Sequence, residues 1–132
     1  MDAMCRTGLS VGEFIAAVLG DLRTEGSVSA VFPVVAINPV QMPYLVYRRV
    51  NLGNEDTKTP RRGDTMGVEI LCVTDQYTSG VELAEKVRAV LESSRGKHIE
   101  GLTMTVCTLE DSSEDYLNEA YVQQLIFRIL IS

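Results

Sequence analysis

Met42-Pro43-Tyr44-Leu45-Val46-Tyr47-Arg48-Arg49-Val50 is the stretch on which the fold turns. Pro43 introduces a run of β-formers, in which Leu45, Tyr47 and Arg49 face opposite to Tyr44, Val46, Arg48 and Val50. A second strand is expected from Met66 to Thr74, with Val68, Ile70, Cys72 and Thr74 on one face. Residues 51–65 between them are the most polar part of the chain, rich in Gly, Pro and charges of both signs. They read as a loop or long hairpin tip, so the two strands form a hairpin.

The pattern upstream changes from a period of two to a helical one. Val11, Phe14, Ile15, Val18, Leu19 and Leu22 recur at helical spacing, which predicts an amphipathic helix over about residues 11–24. Ser10 with Glu13 resembles a capping box, and Gly26 lies beyond the helix end. Residues 1–9 read as a flexible lead, and residues 10–132 as a single domain. Residues 30–37 read as an edge strand or an irregular segment, because Pro33 cannot donate a ladder hydrogen bond.

Downstream, Val81, Leu83, Ala84, Val87, Val90 and Leu91 give a second apolar helical face, with Ser79 and Glu82 as its capping pair and Gly96 as a left-handed cap. Two strands close the chain, about 101–109 and 120–131, joined by a polar turn at Glu110–Asp115. In the first, Leu102, Met104 and Val106 alternate with Thr103, Thr105 and Cys107. The last is apolar on both faces near its end, so it is either central in the sheet or covered by another subunit. The fold class is α+β: an antiparallel β-sheet with two α-helices packed on one face.

The bulk numbers bound the function. A chain of 132 residues suits one domain. The net charge of −6 opposes tight general binding to nucleic-acid phosphates. No run reaches the ~18–20 apolar residues of a membrane span, and the N-terminus has no long apolar core of a signal peptide. Cys5, Cys72 and Cys107 are too few and too dispersed for a disulfide framework or zinc site, although Cys72 and Cys107 could pair if their strands were neighbours.

The search for chemistry is empty. The only histidine, His98, has no partner at metal-ligand spacing. Ser94 and Lys97 match a serine–lysine spacing but sit where a helix end wants Ser, Gly and Lys anyway. Glu55-Asp56 and the Glu110–Asp115 cluster lack calcium-loop spacing. Arg61-Arg62-Gly63-Asp64 contains an Arg-Gly-Asp triplet, most simply a turn. Tyr44 and Tyr47 with Arg48, Arg49, Arg61 and Arg62 could form a stacking platform for bases, against the simpler reading of strand packing and subunit ion pairs. No cofactor and no metal is expected.

The Met42–Val50 block, with Pro43, Tyr44 and Tyr47 at its centre, resembles the phage tail completion family, which is similar to tail terminator and tail-to-head joining proteins. The resemblance continues through Val68–Val73 with Asp75-Gln76-Tyr77, the helical Ala84–Leu91 segment, Leu109-Glu110-Asp111 and Tyr116, over about residues 9–132. It implies a tail-terminator-like fold and a structural role without catalytic residues. The expected partners are further copies of the chain in a ring, usually hexameric, together with the tail tube protein and head–tail connector proteins. DNA would pass the lumen without specific binding, and the expected location is the virion tail after assembly in the bacterial cytoplasm. Glu55, Asp56, Lys58, Arg61, Arg62 and Asp64 of the long polar segment are the candidate subunit or tail interface. The alternatives are an intracellular adaptor domain of the same fold, or a small enzyme with a pocket of Tyr44, Tyr47, His98 and Asp111.

Overall fold

The structure, a computed structural model, describes residues 7–36, 41–54 and 64–131. Its elements are α1 (Val11–Thr24), β1 (Ala30–Pro33), β2 (Tyr44–Asn54), β3 (Asp64–Thr74), α2 (Tyr77–Glu92), β4 (His98–Ile99), β5 (Leu102–Leu117) and β6 (Ala120–Ile131). The strands form one sheet in the order β1-β2-β3-β6-β5-β4. The expected sheet with two helices on one face is present, and β6 is central, between β3 and β5.

One pairing departs from the antiparallel expectation. β1 runs parallel to β2, with Ala30 opposite Tyr44 and Pro33 opposite Tyr47. The sheet is therefore mixed, with β1 as the short edge strand that Pro33 allows. Val34 follows with a φ of 65° and donates its N–H to the Tyr47 carbonyl at 2.7 Å. A β-branched residue rarely takes that left-handed conformation, and here it turns the chain away from the sheet.

The helices bury their apolar stripes on one side of the sheet. Phe14, Ile15 and Leu19 of α1 and Leu83, Val87 and Leu91 of α2 meet Leu45, Val68, Ile70, Cys72, Leu125, Phe127 and Ile129 in one cluster. Burial of each large side chain in it contributes about 1.5–3 kcal/mol. The expected helix start signals are absent. Ser10 makes no side-chain cap, because a short 3-10 turn at Gly8–Ser10 leads into α1 and Thr7 accepts from the Leu9 N–H. Ser79 lies inside α2, which begins at Tyr77. At the other end Gly96 is left-handed, with φ 87°.

Two corrections concern β5. Between Met104 and Val106 the pairing shifts by a bulge, so Cys107 rather than Val106 points into the core. Glu110–Asp115 is strand, not turn: Asp111 pairs with Ile126, Ser113 with Gln124 and Asp115 with Val122. The turn is Asn118–Glu119, with φ values of 51° and 63°, the two-residue positive-φ connection that suits a twisted hairpin. A polar strand results because this part of β5 is exposed, and a second register shift between Leu109 and Asp111 opens it.

Candidate functional site

The side of the sheet opposite the helices has no covering element among the described residues. Val46 and Val73 are buried there, while Leu71, Val122, Ile126 and Leu130 are only half-buried. A polar chain crosses this apolar field. Arg48 Nε donates to Glu69 Oε1 at 2.8 Å, Gln124 Nε2 donates to the other Glu69 oxygen, and Ser113 Oγ donates to Gln124 Oε1 at 2.9 Å. Four strands, β2, β3, β6 and β5, are thereby tied side chain to side chain. Glu69 is 9% exposed and Arg48 keeps half its side chain in solvent. A trough of about 460 Å³ overlies this ladder, with Val34 at one end and Leu117 at the other. The signal for it in the sequence was the pair Gln123-Gln124 interrupting an apolar strand, and Glu69 inside another.

The β5–β6 hairpin forms an arm at one edge. Beyond its short pairing with β4 at Leu102 and Thr103, β5 has no second strand among the described residues. Residues 110–119 carry five carboxylates (Glu110, Asp111, Glu114, Asp115, Glu119) and no Lys or Arg. Charge on an open edge discourages unwanted strand addition. The arm is tied to α2: Tyr77 donates its hydroxyl to Glu114 Oε2 at 2.6 Å, and Gln123 Nε2 donates to the same oxygen at 3.0 Å. These bonds hold the Glu114 carboxyl below its ordinary range, and the carboxylate pushes the Tyr77 phenol up. Tyr121 packs edge-on against Tyr77 at 6.0 Å and at a tilt against Tyr116 at 4.8 Å.

At the other side of the molecule a groove of about 550 Å³ lies between the start of α1 and β1–β2. Leu9, Gly12, Val34, Tyr47, Arg48 and Arg49 are among the residues that line it. Burial, then the nearby Glu13 charge, pushes the Tyr47 phenol up.

The expected interface residues divide sharply. Glu55, Asp56, Lys58, Arg61 and Arg62 lie outside the described residues. Asp64 opens β3, and its Oδ2 accepts the Gly8 N–H at 2.9 Å, tying the segment before α1 to the sheet. Pro43 accepts from the Ser29 N–H at 2.9 Å through its carbonyl, which joins β1 to β2. Tyr44 packs edge-on against Phe32 at 5.9 Å.

Tyr44 and Tyr47 fall on opposite faces of β2, so they do not make a stacking platform. The pocket of Tyr44, Tyr47, His98 and Asp111 is likewise not assembled. His98 sits on β4, four strand steps from β2, or roughly 19 Å at ~4.8 Å per step. Its Nδ1 lies 2.7 Å from Thr103 Oγ1. The Ser94 hydroxyl is buried and donates to the Val90 carbonyl at 2.8 Å, away from any dyad with Lys97. Cys72 and Cys107 are both free, because β6 separates their strands. Among the described residues no group of His, Cys, Asp and Glu could hold a metal ion, and no helix is long and apolar enough to cross a membrane.

Comparison with known proteins agrees with this architecture. The family model described as "Tail completion protein gp17" matches residues 16–132. No curated protein matches the chain. Among solved structures, the fold is similar to a chain of the "Virion of native gene transfer agent (GTA) particle", with a TM-score of 0.66 over 95% of this chain and 98% of that one, at 16% identity. The chain thus belongs to the tail completion protein gp17 family: it is a structural, non-catalytic component of a phage-type virion tail.

Proposed function

We propose that the chain forms a ring, a hexamer, at the head-proximal end of the tail tube and there joins tail to head, with residues 10–132 as its single working domain. The observation that carries this reading is the second face of the sheet. It holds half-buried Leu71, Val122, Ile126 and Leu130 around a fully hydrogen-bonded ladder, and the chain's own helices all lie on the other side. A ring neighbour or the tube would cover such a face. The gene transfer agent particle whose chain shares the fold is itself a virion, which supports the same setting. With a net charge of −6, a ring lets DNA pass without holding it.

The polar segment around Glu55, Asp56, Lys58, Arg61 and Arg62 reaches a neighbouring subunit or the tube protein in this reading. Native mass spectrometry and electron microscopy of the full chain, alone and with assembled tail tubes, test it. A closed hexamer is expected, capping tube ends. A chain that stays monomeric in both settings overturns the ring. Deleting residues 54–63 should leave a folded monomer that no longer closes rings; rings from that variant would remove the segment from the interface.

A further inference from the structure

The arm and the groove are complementary surfaces that one chain holds at opposite ends of the trough, where Leu117 and Val34 both line it. No residue of the arm lines the groove. The arm tip presents Leu117, 54% exposed, and Tyr116 beside it, in a setting of carboxylates only. The groove presents Leu9 and Val34, 64% and 66% exposed, beside Arg48 and Arg49, the one adjacent pair of cationic residues among those described, with the single carboxylate of Glu13 on the same wall. Exposed apolar side chains of this size, rimmed by polar and charged groups, are what an interface offers before it is occupied. The tip belongs to β5–β6 and the groove to α1 and β1–β2, on opposite sides of the strand order.

We infer that the β5–β6 hairpin tip of one copy, through Tyr116, Leu117, Asp115 and Glu119, docks in the Leu9–Val34–Tyr47–Arg49 groove of the next copy. The occupant is a second copy of this chain, chosen by charge: the arm's carboxylates meet the arginines of the groove, and the apolar tip meets the apolar wall. The contact is heterologous, tip to groove, so an open assembly keeps one free tip at one end and one free groove at the other until the chain of contacts closes. Such a contact builds a ring where the rotation between copies closes and a filament where it does not, but not a two-fold dimer. The inference rests on the ring reading and names the surfaces that make it. It also accounts for Val34, whose strained left-handed backbone points an apolar side chain into solvent instead of continuing β1.

Cysteine cross-linking tests the pairing in the full chain carrying Cys5→Ser. Leu9→Cys and Leu117→Cys are made separately and together, with folding checked by circular dichroism. Mixed single variants should give disulfide dimers under mild oxidation, and neither single variant should do so alone. The double variant should give a ladder of multimers that ends in a closed species. A charge test runs beside it: Arg49→Glu or Glu119→Arg should each weaken self-association at least tenfold, by roughly the cost of like charges facing each other, and the two together should restore it. Rings that form without a Leu9–Leu117 cross-link, or that cross-link within one single variant, overturn this interface and leave the ring standing. A chain that makes no ring with or without tail tubes overturns both.

Discussion

Glu69 is the side chain whose replacement tells most about how the sheet is held. It is almost fully buried on a face without helices, and it accepts from two strands at once, Arg48 of β2 and Gln124 of β6. Changing Glu69→Leu removes a charge-assisted bond to a largely buried amide, about 1.5–3 kcal/mol. It also removes an ion pair whose arginine is half in solvent, only about 0–1 kcal/mol. The new leucine recovers about 1 kcal/mol through apolar burial. The net loss is about 2 kcal/mol, most of it from the orphaned Gln124 amide. Changing Gln124→Leu alone costs a similar amount, because Glu69 then keeps only its outer partner and Ser113 loses its acceptor. With both leucines present the unpaired groups are gone, and the double variant should lie close to the parent. The coupling is therefore about 4 kcal/mol, well outside the ~0.3–0.5 kcal/mol scatter of independent sites. Urea unfolding of the four proteins, at a concentration where all are monomeric, measures it. With a slope of roughly 2 kcal/mol per molar, each single variant should move the midpoint down by about 1 M. Additive losses in the double variant would refute the ladder as one cooperative unit.

Two further expectations are narrower. Burial pushes the Cys72 thiol up to about 12 from an ordinary 9; the neutral thiol is favoured by the fold, so its contribution is complete below about pH 9 and lost as pH rises from there toward 12. A thiol reagent at pH 8 should leave Cys72 unmodified until the chain is unfolded in denaturant, and rapid labelling in the folded state would refute its burial. Glu119 holds a φ of 63°, a conformation that costs an ordinary L-residue about 1–2 kcal/mol and glycine nothing. Glu119→Gly should thus raise the unfolding free energy of the monomer by about 1 kcal/mol in calorimetry, and a loss would mean that the turn is not as placed.

The elements that were legible in the sequence share a buried face. α1 runs over Val11–Thr24 because six apolar residues keep one helical stripe, and that stripe alone marks both ends well. β3 sets Met66, Val68, Ile70 and Cys72, and the second half of β6 sets Leu125, Phe127, Ile129 and Ile131, on the side that meets the helices. What was illegible lacks that contrast. β5 past Leu109 is exposed on both faces, so its Glu, Asp and Ser residues imitate a turn, and only the pairing with β6 makes it a strand. The parallel partner of β1 is a matter of where a chain returns in space, which no local pattern states. The bulge between Met104 and Val106 exchanges the roles of Val106 and Cys107, and both are apolar enough for either face. The capping bonds did not form for two different reasons: Ser10 is the N-cap residue of α1 but is reached through a 3-10 turn that leaves its side chain unbonded to the helix, and α2 begins at Tyr77, ahead of Ser79.

The same absence of contrast explains why the candidate surfaces were hidden. An interface in a ring subunit has to be tolerable in water before assembly and favourable after it. A run such as Glu110-Asp111-Ser112-Ser113-Glu114-Asp115 meets both needs. On the free chain it keeps the open β5 edge solvated and sets equal edges against each other, since two such edges bring carboxylate to carboxylate. Next to the groove's arginines the same charges become attractive and steer the encounter. The ladder beneath does the complementary work. Ser113, within the acidic run, is bonded through Gln124 and Glu69 to Arg48 on the far side of the sheet. The arm that offers its tip and the strand that carries the groove's arginine are thus joined by one chain of hydrogen bonds, which fixes the separation between the two surfaces. In a ring that separation sets the rotation from one copy to the next, so a rigid link between them is what allows the sequence of contacts to close.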